Sequence, residues 1–430
     1  MNHHPFPKKS TRRRFLMQTA AGLGLASASG CVPYEKRKTI PIKVGVLYSQ
    51  TGNAALSESN ARDATLLALD EINANGGVLG RKVEGVFEDP QSRPELYAKY
   101  IRKMLTKDKV VAIFGCWTSA SRIAARPVVE SLNGLLFYPL QYEGNESSPN
   151  IIYSGATANQ QFIPALDWLI SEAGGAHKRF YLIGSNYIYP QTIHFLLKKY
   201  LSSKSMTVAG EALIPLDELD YNAPVKAIQA SEPDCIISNV VGMGSLNFIK
   251  EWAATNISTE RVTMVSGTAN ETELQQTPQA NLKGHLALWS YFQTINNPSN
   301  LVFINRFKEE FWSECVVSDP LVTAYSQVML WKLAVDKAQS TDLTKVRDAF
   351  RTGISFDNAP GVPLRIDPKT QHAYRYCMIG RIRKDRQFDI VFQSPEPIAP
   401  EPYPAFAFPG WKCDWTSTGL IKGPNVDLTQ

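Results

Sequence analysis

The sequence predicts an α/β chain of two lobes, each built on a parallel sheet. Short apolar runs alternate with stretches of helical period, the alternation restarts near residue 159, and the turns after the apolar runs carry Tyr, Trp, Ser and Thr. Strands covered by helices on both faces read as near-continuous apolar runs, whereas one-sided strands alternate. A chain of 430 residues exceeds what one hydrophobic core usually supports, which also favours two lobes. With 44% hydrophobic and 20% charged residues, it is an ordinary globular chain rather than a disordered one.

Taken in order, residues 43–48 (Lys-Val-Gly-Val-Leu-Tyr) form the first buried strand and lead into a turn at 49–52. A helix spans 57–75, closed by Gly76 and Gly77, which suit a helix C-terminus. After a strand at 83–87, Pro94 opens a helix that sets Tyr97, Tyr100, Ile101, Met104 and Leu105 on one face. Strands at 110–114 and 135–138 flank another helix. The second series has a helix at 162–173, a strand at 180–183, and a helix with Ile193, Leu196, Leu197, Tyr200 and Leu201 on one face. Strands follow at 207–214, 235–238, 262–265 and 285–289, with a helix over 246–254 between the middle two. Helices dominate 302–350, hairpin-like strands occupy 363–366, 378–383 and 388–392, and six prolines between 395 and 409 read as an extended surface tail.

Charge separates the first thirty residues from the rest. Lys8, Lys9, Arg12, Arg13 and Arg14 stand there without an acid, and beyond them 40 basic residues meet 40 acidic ones. A neutral chain has no basic footprint for nucleic acid. Residues 1–31 read as an export signal: the cations precede a weak apolar run at 20–28, too short to cross a bilayer. Thr11-Arg12-Arg13-Arg14-Phe15-Leu16 resembles the twin-arginine motif, and Ser29-Gly30-Cys31 resembles the end of a bacterial lipobox, with Cys31 as the lipidated residue and Ala28 where Leu is usual. The other cysteines, Cys116, Cys235, Cys315, Cys377 and Cys413, have no C-x-x-C spacing and imply neither a disulfide framework nor a zinc site. Four histidines scatter beyond the signal, and no P-loop, H-E-x-x-H, G-x-S-x-G or G-x-G-x-x-G occurs. No catalytic kit, metal or cofactor is implied.

Ligands of open α/β sheets bind beyond the carboxyl ends of the strands. Those ends carry Gly115-Cys116-Trp117-Thr118-Ser119, Tyr138-Pro139-Leu140-Gln141-Tyr142, Ser185-Asn186-Tyr187-Ile188-Tyr189-Pro190 and Ser266-Gly267-Thr268. Aromatic walls with a few fixed polar groups suit a small, neutral, hydrogen-bonding ligand.

These turns, together with Asn75-Gly76-Gly77-Val78-Leu79-Gly80-Arg81, Asn159-Gln160-Gln161 and Gln393-Ser394-Pro395-Glu396-Pro397-Ile398, resemble the branched-chain-amino-acid-type (type I) periplasmic binding proteins. Within that family they are similar to the urea-binding subunits of ABC transporters and to the short-chain amide sensors. Trp117 and the run 141–144 are like the urea binders, whereas 185–190 and 394–397 are like the amide sensor. Where that sensor has Thr, this chain has Leu140 and Met243. The resemblance implies two Rossmann-like lobes joined by three crossovers, near 154–159, 289–293 and 363–367. Lobe one would comprise 42–156 and 291–364, lobe two 157–290 and 365–392, with a Pro-rich C-terminal tail over 393–430.

It also implies ligand contacts at Ser119, Tyr138, Tyr187, Tyr189, Thr268 and Trp117. Each has a plainer reading beside it: Ser119 as a helix cap, Tyr138 as a strand-end core aromatic, one of Tyr187 and Tyr189 packing beneath the other, Thr268 as a turn residue, Trp117 as rim packing. Cys116 is expected as buried packing, and Glu143 and Glu271 as solvated rim charges. The implied function is an exported, lipid-anchored binding protein that delivers urea or a short aliphatic amide to an ABC permease, closing its lobes on the solute. A sensor presenting the same ligand to a membrane receptor is the alternative, and an amidase the remote one.

Overall fold

In the computed structural model the described residues are 40–278 and 280–414. The export segment with Cys31 and residues 415–430 lie outside them. The first sheet is built from β1 (Ile42–Leu47), helix α1 (Ala55–Ala74), β2 (Val83–Glu88), α2 (Pro94–Lys103), β3 (Ile113–Gly115), α3 (Ser119–Ser131), β4 (Leu136–Tyr138) and β5 (Ile151–Tyr153). Its strand order is β2-β1-β3-β4-β5, parallel throughout. Adjacent strand residues point to opposite faces, so Phe114 enters one core with Val44 and Val46 while Ile113 enters another with Tyr97 and Ile101. Pro94 starts α2, and a single π-turn at Met104–Asp108 ends it, closed by Lys109 at φ 58°. Tyr97, Ile101 and Met104 are buried in one core, and Tyr100 and Leu105 pack half-buried against it, on the one face that the sequence predicts.

The chain then forms α4 (Ala158–Gln161), α5 (Ile163–Ile170), β6 (Arg179–Ser185), α6 (Ile188–Ser203), β7 (Thr207–Ile214), α7 (Asn222–Ala230), β8 (Cys235–Asn239), α8 (Gly242–Ala254), β9 (Thr263–Ser266), α9 (Glu271–Gln275) and β10 (Leu286–Trp289). These strands stand in the order β10-β9-β8-β6-β7, which repeats the winding of the first sheet. Helices α10 (Pro298–Glu310), α11 (Asp319–Ala338) and α12 (Leu343–Phe350) follow and return to the first core, where Phe303, Trp331 and Phe350 pack with Val44 and Phe114. Short strands β11 (Ser355–Phe356), β12 (Leu364–Ile366) and β13 (Ala373–Tyr374) make a small antiparallel sheet. Finally β14 (Met378–Ile382) extends the second sheet antiparallel to β10, and β15 (Phe388–Gln393) adds to its edge antiparallel to β14.

Two features differ from the sequence reading. The last passage between sheets falls after Tyr374 rather than at 363–367, because Leu364, Ile366 and Ala373 bury into the first core and His372 bridges to Tyr153. The Pro-rich segment is no surface tail either. Tyr403, Phe408 and Cys413 sit in the second-lobe core, with Phe408 stacked on Trp411 at 5.6 Å and Tyr403 edge-on to both. Prolines give such a segment no periodicity, so its aromatic anchors escape a pattern search. All five described cysteines are free and buried. No helix among the described residues is long and apolar enough to cross a membrane.

Candidate functional site

The strand order of each lobe reverses direction at one point, and there the turns diverge and leave a crevice. In the first lobe this point is where β3 gives way to α3. Gly115 has φ 151°, and a Cβ there would lie 2.2 Å from the Leu47 carbonyl oxygen, so only glycine lets β3 run so close to β1. Cys116 follows at φ 62°, an uncommon conformation for a residue with a side chain, with its thiol fully buried as expected. The turn delivers Trp117, Thr118 and Ser119 to the start of α3. Thr118 caps the helix, its hydroxyl accepting the Ser121 N–H at 3.2 Å, which leaves the N–H groups of the first turn pointing outward.

All six residues singled out in the sequence, Trp117, Ser119, Tyr138, Tyr187, Tyr189 and Thr268, line one cleft between the two sheets. About 140 Å³ of it is open to water-sized groups. Gln141 and Asn53 line it from the first lobe, and Val241, Asn270, Glu273 and Trp289 from the second.

Several hydroxyls there are already engaged. Tyr138 donates to the Trp117 carbonyl at 2.6 Å, and Thr268 donates to the Val240 carbonyl at 2.6 Å. Ser119 donates to Glu143 Oε2 at 2.5 Å and accepts from Arg122 Nη1 at 3.1 Å. Arg122 is fully buried, pairs with Glu143 at 2.8 Å and Glu146 at 3.2 Å, and lies over the Tyr142 ring at 4.3 Å. Burial alone would raise the Glu146 carboxyl, but Arg122 and Arg126 outweigh it and hold it below its ordinary value. Behind this cluster, Tyr142, Tyr153 and His372 stack on one another, and Tyr142 hydrogen-bonds His372. Glu143 is therefore no rim charge. Nor is Glu271, which is fully buried and accepts the Gln293 N–H at 2.8 Å.

The two lobes touch across the mouth. The Asn53 carbonyl oxygen accepts the Met243 N–H at 3.0 Å, and its amide donates to the Leu216 carbonyl at 3.4 Å. Ser57 donates to Glu273 at 2.9 Å, and Gln141 donates to the Gly267 carbonyl at 3.2 Å. Burial raises the Glu273 carboxyl despite the Asn270 N–H and the Ser57 hydroxyl. These contacts were not readable in advance. Arg122 could have been noticed one helical turn after Ser119, in a segment where a second acid-bearing run, 143–146, lies close in sequence. The cross-lobe partners of Asn53 and Gln141 are more than 120 residues away and leave no local signal.

Two doubly wound lobes facing each other over a cleft of aromatic and hydrogen-bonding side chains define a clamp for a small solute. Residues 42–408 match the periplasmic binding protein domain family, and the chain belongs to that family, with the type I fold. Leu/Ile/Val-binding protein homolog 7 of Brucella melitensis biotype 1 is 22% identical over 373 residues, 82% of this chain and 91% of that protein. A shorter match, 30% identical over 119 residues, covers 28% of this chain and 21% of a limonene hydroxylase from Geobacillus stearothermophilus. The fold is shared with an R. palustris ABC-transporter solute binding protein in complex with 4-hydroxybenzoate (TM-score 0.75, 20% identity, 84% of this chain and 98% of that one). It is shared equally with a branched-chain amino acid transporter substrate binding protein of Streptococcus pneumoniae in complex with isoleucine (TM-score 0.73, 17% identity, 83% and 100%).

Proposed function

We propose that this chain is the exported solute-binding component of an ABC uptake system and that it takes urea or a short-chain aliphatic amide by closure of its lobes. One observation carries this reading. Among the described residues, the cleft is lined by aromatic, aliphatic, hydroxyl and amide side chains with a single charge, Glu273, and no Lys or Arg. A carboxylate drawn into such a site loses its hydration without gaining a cation. A neutral solute bearing N–H and C=O groups needs only the hydrogen-bonding partners available there.

In this reading Ser119 contributes the first-turn N–H groups of α3 rather than its engaged hydroxyl. Tyr187 and Tyr189 contribute from the second lobe, Tyr138 and Thr268 hold the turns, and Trp117 walls the cleft. Ligand that bridges both lobes stabilises the closed form. Lipidation at Cys31 would hold the protein at the outer face of the cytoplasmic membrane, where a permease, or a membrane receptor in the sensor alternative, would meet it.

A zwitterionic amino acid is the second reading, favoured by the Glu273 carboxyl in the lining and by the names of the relatives. Calorimetry separates them, using protein unfolded and refolded to strip carried ligand and titrated with urea, acetamide, formamide, leucine and 4-hydroxybenzoate. At a ceiling of about 1.5 kcal/mol per heavy atom, urea reaches about −6 kcal/mol, a Kd of order tens of micromolar. Saturable binding of urea or an amide that Tyr187→Ala abolishes is the expected result. Binding of leucine or 4-hydroxybenzoate alone would sink the amide reading.

A further inference from the structure

Two buried polar atoms on facing sides of the cleft lack a hydrogen-bond partner among the described residues: Gln141 Oε1 and the Tyr189 hydroxyl. Both residues line the cleft, from the turn after β4 in one lobe and the first turn of α6 in the other. Gln141 is 7% exposed and Tyr189 3%.

The orientation of the Gln141 amide is determined by its other end. Its Nε2 lies 3.2 Å from the Gly267 carbonyl oxygen, which can only accept, so the nitrogen faces the second lobe and Oε1 is left as a bare acceptor. The Gly267 carbonyl is itself held, receiving Gln161 Nε2 at 3.0 Å. A Cβ on Gly267 would lie 2.6 Å from both Asn239 Oδ1 and the Phe162 ring, so a side chain does not fit at this position. One side chain thus combines a cross-lobe tie with a buried, unsatisfied acceptor. A buried polar group without a partner is costly, and a solute that supplies the missing N–H removes that cost.

We propose that Gln141 is a specificity-determining residue of the cleft: its Oε1 takes an N–H of the solute while its Nε2 ties the lobes through Gly267. The site then selects solutes with an N–H beside a carbonyl and rejects isosteres that lack it, and the selection acts through closure because both bonds use one amide group. This rests on the urea and amide reading above and adds to it the atom that reads the nitrogen.

The test compares acetamide with acetone, which replaces the NH₂ by a methyl group of similar size. Calorimetry on the full chain, stripped of carried ligand, would be run for wild type, Gln141→Leu and the isosteric Gln141→Glu. Wild type is expected to prefer acetamide over acetone by at least tenfold, and Gln141→Leu to reduce that ratio to within about twofold. The ratio is the decisive readout, because a merely structural role for Gln141 would weaken both solutes alike. A wild-type ratio near one overturns the inference without any variant, and so does a Gln141→Leu protein that keeps the full wild-type ratio or a Gln141→Glu protein, which retains the acceptor oxygen, that loses it. If wild type binds urea and no amide, urea against acetone gives the same comparison. If it binds none of these, the amide reading falls and takes the inference with it.

Discussion

Replacing Arg122 by methionine keeps much of the side-chain volume and removes the cation shared by Glu143 and Glu146. Both carboxylates are 3% exposed, so neither can recover hydration without opening the fold, and only Glu146 retains a second cation, Arg126, at 3.0 Å. Removing one member of a buried ion pair costs about 3–5 kcal/mol. With an unfolding entropy of roughly 2.1 cal/mol/K per residue, a cooperative unit of about 200 residues loses roughly 7–12 °C of Tm. The pH dependence gives a second check. In the wild type Glu146 titrates below its ordinary value, so its contribution is present above the unfolded pKa and is lost as pH falls through the folded one. Without Arg122 the Glu146 carboxyl titrates higher than in the wild type, and the cost of the variant shrinks as pH falls from 7 to 5. Calorimetric melts at both values, with solute titrations on the same samples, measure all of this. An Arg122→Met protein that melts within about 1 °C of wild type at pH 7 would refute the reasoning.

Other consequences are as direct. Burial raises the Glu58 carboxyl to about 7, against the N–H of Ser49 and the hydroxyl of Tyr97, and raises Glu271 to about 8. Stability from both groups is full below the unfolded value near 4.5 and is lost as pH rises through the folded values. Wild-type Tm is therefore expected to fall between pH 5 and 8, and Glu58→Gln with Glu271→Gln to flatten that slope; unchanged slopes in melts across this range would contradict it. Phe408→Ala removes a ring stacked on Trp411 and is expected to cost about 3–5 kcal/mol in denaturant titrations. Loss of less than about 1 kcal/mol would mean the C-terminal segment is only loosely docked. Asn53→Ala deletes two bonds across the cleft mouth. At about 1 kcal/mol each, solute affinity is expected to drop roughly five- to thirtyfold, with a larger small-angle scattering radius at subsaturating solute, whereas the fold stays intact.

Much of the architecture is legible because its cause is local. Apolar runs such as Cys235–Asn239, buried at every residue, announce strands covered on both faces, and turn residues at their ends announce the cleft. Trp117, Ser119, Tyr138, Tyr187, Tyr189 and Thr268 meet there because a doubly wound sheet gathers those turns at one end. What the sequence hides depends on pairing over distance. Glu143 has a charge suited to solvent and is buried only because Arg122 is held against it. Gln141 reads as one polar residue in a turn until the Gly267 carbonyl is placed opposite. The passage after Tyr374 and the docked end of the chain are set by which core receives Ile366 and Phe408, and no local pattern chooses between cores.

The segment around Ile398 bears on how the clamp moves. Ile398 exchanges backbone hydrogen bonds with Arg375 and accepts from Gln160 at 2.8 Å. Ala399 accepts from Asn159 at 2.9 Å, and the Pro402 carbonyl accepts the Asn145 N–H at 2.7 Å. These partners sit at or beside two of the passages where the chain runs from one sheet to the other, so the segment laces together strands that any opening rotation must twist. A jaw stitched at its pivot has a short throw: wide gaping would tear out several bonds at once, while a small swing costs little. Such a stop keeps the empty clamp near its working angle and shortens the path back to the grip.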